Sequence, residues 1–150
     1  MHYGAIDCLE YHGKHVLGPD DLSLVAFMIG MHSWWDSVDG LASRVVGPLV
    51  LRNREELESR VDLWGDCENM WFRRTALLYQ LKYKEQTDVE RLAEHCRTMA
   101  SDDAFFIQKA IGWALREYAK TDPQWVRAFV DKTTLSGLSR REALKNIGYE

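Results

Sequence analysis

Polar residues that suit helix N-termini punctuate this chain at a fixed interval, and between them apolar residues recur three and four positions apart. Candidate caps at Ser33, Asp66, Ser101 and Ser139 open one series of helices. Candidates at Asp20, Asn53, Thr87 and Asp122 open a second series between them. Steps within each series run 33 to 38 residues, the period of stacked two-helix repeats. Thr87 with Glu90, Asn53 with Glu56 and Ser139 with Glu142 have the spacing of capping boxes. Asp122 is followed by Pro123, the favoured first helical residue. No run alternates polar and apolar residues between turn signals, so no strand is predicted. The pattern predicts an all-α fold: one domain over residues 1–150, built as a curved solenoid of antiparallel helix pairs.

The stretch 33–39, Ser-Trp-Trp-Asp-Ser-Val-Asp, departs most clearly from a plain amphipathic pattern. Ser33 and Asp36 can form a shortened capping box, so a helix is predicted to start here. Trp34, Val38, Leu41, Val45 and Leu49 recur at helical spacing and are expected to face the core. Trp35 and Asp39, one turn apart, fall on the adjacent face. A second large aromatic beside a carboxylate, off the core stripe, is either a boundary residue with a dipole-favoured Asp or a site. One period back from Ser33 lies almost on Met1, so residues 2–12 are expected to form the first helix of a pair. Tyr3, Ile6 and Leu9 then make an uncapped stacking face, covered by something upstream or by self-association.

Composition narrows the class. The 150 residues are 46% hydrophobic, enough for a real core, and the net charge of −4 gives no bulk attraction to nucleic acid. Cys8, Cys67 and Cys96 are widely spaced and odd in number, which favours a reduced, cytoplasmic setting over a disulfide framework. They and the histidines lack metal-ligand spacing, so no metal or cofactor is implied. Residues 1–7 show no signal-peptide pattern, and no apolar run reaches membrane-spanning length.

Charge is unevenly sorted. Lys and Arg outnumber Asp and Glu over the first-series helices, and the reverse holds over the second series. An acidic protein would thus carry a less acidic or basic concave side, the distribution a phosphate backbone wants and one that solvated faces also produce. Arg74 lies among Met70, Leu77, Leu78 and Leu81, so it needs an anionic partner, either a protein carboxylate or a phosphate. Trp113 shares a face with Lys109, Arg116 and Lys120. That arrangement suits nucleic acid, or a core tryptophan rimmed by snorkelling cations.

These residues carry a resemblance. Segments 33–39 (SWWDSVD), 78–84 (LYQLKYK), 105–120 (FFIQKAIGWALREYAK) and 138–145 (LSRREALK) resemble, in the same order along the chain, the bacterial DNA alkylation repair family. Its AlkD-type members are alkylpurine DNA glycosylases built from HEAT-like repeats. The resemblance implies that Trp35 and Trp113 flank the damaged nucleotide, that Asp39 is the catalytic carboxylate, and that Arg74 binds the DNA backbone. Lys109, Arg116, Lys82 and Lys84 are the further candidate DNA-binding cations. The resemblance also implies hydrolysis of the N-glycosidic bond of N3- or N7-alkylated purines in double-stranded DNA, without base flipping. The likeness is to the C-terminal portion of the family, whose full-length members carry additional N-terminal helices. The alternative is therefore a non-catalytic HEAT-like module for DNA or protein.

Overall fold

In the computed structural model, residues 18–31 and 35–147 are described, with the side chains of 35–37 excepted. The expected helix at 2–12, its face of Tyr3, Ile6 and Leu9, the Ser33 cap, Trp34 and Cys8 lie outside the described residues. Everything regular within them is helical, without a strand. The chain divides into two compact units, Met1–Tyr79 and Gln80–Glu150.

In the first unit, a 3-10 turn at Pro19–Asp21 leads into α1 (Leu22–Met31). Asp21, rather than the expected Asp20, anchors this start: its carboxylate accepts the Gly18 N–H at 2.8 Å. α1 buries Leu22, Val25 and Ile29 at helical spacing and packs against α5 (Met70–Leu78) and the segment Leu41–Val46.

Next come α2 (Trp35–Gly40), a π-helical segment Leu41–Val46, and α3 (Gly47–Arg52), continuous with one another. Pro48 explains the interruption. It has no N–H to give to the carbonyl one turn back, and its ring crowds that carbonyl. The preceding turn widens, and the Gly47 N–H reaches back to the Ala42 carbonyl, five residues away. The buried pairs Leu41 and Ala42, Val45 and Val46, Leu49 and Val50 repeat every four residues. That spacing drifts around a 3.6-residue helix and stays closer to one side on the wider turn. Val38, Leu41, Val45 and Leu49 are all buried, as the stripe predicted.

Asn53 does start α4 (Arg54–Asp62), but no capping box forms there. Its amide instead donates to the Leu49 carbonyl at 2.9 Å, closing the end of α3. A 3-10 turn, Leu63–Asp66, precedes α5, and Asn69 caps α5 by accepting the Trp71 N–H at 2.9 Å. The expected cap, Asp66, is three residues early because that turn intervenes.

The second unit holds a short 3-10 turn (Lys84–Gln86), α6 (Val89–Thr98), α7 (Phe105–Ala119), α8 (Pro123–Lys132) and α9 (Gly137–Leu144). The Asp122 cap is as expected, accepting the Trp125 N–H at 3.0 Å with Pro123 first in the helix. α6 is capped by Asp88, one residue past Thr87. The start of α7 has no side-chain cap; Asp102, not Ser101, accepts the Ala104 N–H at 2.9 Å. α9 is capped by Ser136, which leaves Ser139 inside the helix and buried, its hydroxyl donating to the Gln108 carbonyl at 2.7 Å. On α6, burial pushes the Cys96 thiol up to about 12, so it is inert at neutral pH.

Candidate functional site

The first unit sets one carboxylate against one guanidinium. Asp39 is near the end of α2, immediately before the π-helical segment, and Arg74 is in the middle of α5. Arg74 Nε donates to Asp39 Oδ1 at 2.7 Å and Arg74 Nη2 to Asp39 Oδ2 at 3.0 Å. This two-point pairing is the geometry in which a guanidinium fork holds a carboxylate most firmly. Both residues are buried, Asp39 7% and Arg74 3% exposed. Of the two anions the sequence allowed Arg74, a protein carboxylate or a phosphate, it holds the carboxylate. The backbone is tied as well, because Ser43 Oγ donates to the Asp39 carbonyl at 3.0 Å. Trp35 begins α2, one turn before Asp39; its side chain lies outside the described residues.

The second unit gathers three charges where α9 crosses α7. Gly112 permits the crossing. A Cβ there would collide with the Glu142 Cβ and stand 3.1 Å from the Ser139 carbonyl oxygen. Lys109 and Arg116, a turn on either side of Gly112, are thereby brought to a single carboxylate. Glu142 accepts from Lys109 Nζ at 3.0 Å and from Arg116 Nη1 at 2.5 Å. The Lys109 hydrogen bond, against the opposing effect of burial and with help from Arg116, holds the Glu142 carboxyl below the ordinary carboxylate range. Trp113, between the two cations in sequence, is half-buried. On the Arg116 side opens a cleft of about 690 Å³ whose lining includes Lys120, Arg127 and Asp131.

Lys82 and Lys84 are exposed at the start of this unit, and Lys84 has a left-handed backbone with φ of 52°. The structure therefore brings Asp39 to Arg74, and Lys109 to Arg116, among the residues picked out from sequence. Glu142 is the residue the sequence reading misassigned. It was expected to complete a capping box with Ser139, whereas it binds two cations across the helix crossing. A lone carboxylate facing two cations far along the chain leaves no local spacing signal, so sequence alone does not reveal that role.

A family model for DNA alkylation repair enzymes matches residues 1–147. The chain belongs to that family. Among solved structures it is similar to a predicted DNA alkylation repair enzyme from Enterococcus faecalis, with 36% identity and a TM-score of 0.89. The match covers 99% of this chain and 68% of that one. No curated protein matches. Membership of the DNA alkylation repair family assigns the chain a role in DNA repair and agrees with the all-helical fold. No helix among the described residues is long and apolar enough to cross a membrane.

Proposed function

We propose that this member of the DNA alkylation repair family is a DNA glycosylase that releases N3- and N7-alkylated purines. Such a base is cationic, so the bond from its nitrogen to sugar C1′ breaks with both electrons going to the base, which leaves neutral. The sugar becomes oxocarbenium-like, as in glycoside hydrolysis. Asp39 stabilises that developing positive charge and positions the water that adds to C1′. The proton of that water passes to solvent. Trp35 and Trp113 flank the lesion and attract the charge through their ring faces. Lys109, Arg116, Lys82 and Lys84 grip phosphates of the double-stranded DNA. No general acid is needed for a leaving group of this kind, and the base need not be flipped into a pocket.

The observation that carries this reading is the buried two-point pairing of Asp39 with Arg74. A carboxylate held at both oxygens is fixed in place before substrate arrives, as electrostatic stabilisation of a transition state requires. Arg74 is accordingly proposed as a positioning residue acting through Asp39, in place of the backbone contact expected from the resemblance. The test is release of free 7-methylguanine from methylated duplex DNA by the purified chain, with an unmethylated duplex as control. The same burial of Asp39 favours a second reading, a non-catalytic helical module in which the pair only holds α2 to α5. Binding of methylated duplex with no base released would select it.

A further inference from the structure

Glu142 stands outside the chemistry just described, yet it is bonded to both cations of α7 assigned to DNA. Its side chain is 14% exposed, against 42% for Lys109 and 21% for Arg116. The three groups sum to one positive charge where the two cations alone would offer two. Lys109 in particular stays within reach of an external anion, and all three groups are more exposed than Asp39 and Arg74. The carboxylate cannot drift away from Lys109 and Arg116, because the close crossing at Gly112 fixes the Glu142 backbone against α7.

We propose that Glu142 is an internal counter-ion that withholds one unit of positive charge from the face carrying Lys109, Trp113 and Arg116, and so weakens its grip on undamaged DNA backbone. This rests on the reading of that face as DNA-binding. A phosphate approaching Lys109 or Arg116 competes with a carboxylate already in place on both cations. Backbone attraction is thereby held down, and the chain leaves undamaged sites faster.

The test is the salt dependence of binding to undamaged duplex DNA. Each phosphate contact contributes about 0.9 to the slope of log affinity against log salt, so one further contact is worth roughly eightfold in affinity at 0.1 M salt. Glu142→Gln keeps the side-chain volume and removes the charge. It is expected to steepen the slope by about 0.9 and tighten binding roughly eightfold at 0.1 M, with the gain fading at high salt. Lys109→Met is expected to make the slope shallower by a similar amount. The double variant, Lys109→Met with Glu142→Gln, restores the charge count and should return the wild-type slope, which keeps the proposal testable if Glu142→Gln alone folds poorly. A Glu142→Gln slope equal to or shallower than wild type, or a double variant that fails to recover, overturns the counter-ion role while the DNA reading stands. Absence of salt-dependent binding in all of these proteins overturns both.

Discussion

The two units each join carboxylate to cation, and they do so with opposite consequences. In the first, one aspartate meets one arginine at two points, with both side chains nearly buried. In the second, one glutamate meets a lysine and an arginine at a partly exposed helix crossing, with one positive charge left over among the three. Burial decides what each can do. Little exposed and bonded at two points, the pair of Asp39 and Arg74 is screened less by salt and keeps a fixed geometry. Charged and accessible, the cluster on α7 and α9 responds to salt and to any anion that approaches. The first arrangement suits positioning for chemistry. The second suits adjustable attraction to a polyanion.

The largest expected effect breaks the buried pair. Arg74→Met leaves the Asp39 carboxylate enclosed without its fork, and removal of one partner from a buried pair costs about 3–5 kcal/mol. Chemical denaturation followed by circular dichroism measures it, and replacing both partners by apolar residues should recover most of the loss. A cost under about 1 kcal/mol would mean that the pair is worth no more than an exposed one, and the contrast between the units would collapse.

Next comes the crossing that builds the second cluster. Gly112→Ala drives a methyl group into Glu142 and the Ser139 carbonyl, so α9 must shift. Overpacking of this kind costs about 1–3 kcal/mol. Thermal melting should show the loss, accompanied by a changed salt slope for DNA binding as Glu142 moves. An unchanged melting temperature and slope would show that the crossing tolerates a side chain.

Smaller again is Lys109→Met. An ion pair this exposed contributes about 0–1 kcal/mol to stability, far below the buried one. Denaturation should barely distinguish the variant from wild type. A loss comparable to that of Arg74→Met would erase the distinction drawn between the units.

The smallest effect is in pH. The folded state holds the Glu142 carboxyl below its unfolded value, so its contribution is complete above the ordinary carboxylate range and is lost as pH falls through the lowered value. The stability difference between wild type and Glu142→Gln should therefore shrink on acidification from neutral pH. A difference that grows in acid would reverse the sign.

Much of this was legible in the sequence where the signal is local. The apolar stripe of Val38, Leu41, Val45 and Leu49 and the Asp122 cap with Pro123 follow from spacing alone. Arg74 within an apolar stripe announced that it needed an anion. Caps were placed less well, because several polar residues compete near each helix start: Asn69 replaced Asp66, Asp88 replaced Thr87, and Ser136 replaced Ser139. The π-helical segment has no signal of its own, because a proline such as Pro48 can end a helix as readily as widen its preceding turn. Glu142 was misread because its partners, Lys109 and Arg116, come from another helix. Contacts between residues about 30 positions apart leave no periodicity to count.

Asp39, fixed by Arg74, is proposed to supply the chemistry. Single-turnover release of 7-methylguanine from methylated duplex tests it most directly, with protein in excess and at a temperature where circular dichroism shows each protein folded. Asp39→Asn keeps size and one accepting oxygen but removes the charge. Its release should be slower by roughly a hundredfold or more, the scale of a lost electrostatic contact in a preorganised site, with binding to undamaged DNA unchanged or slightly tighter. A folded Asp39→Asn protein that releases the base as fast as wild type would contradict the account.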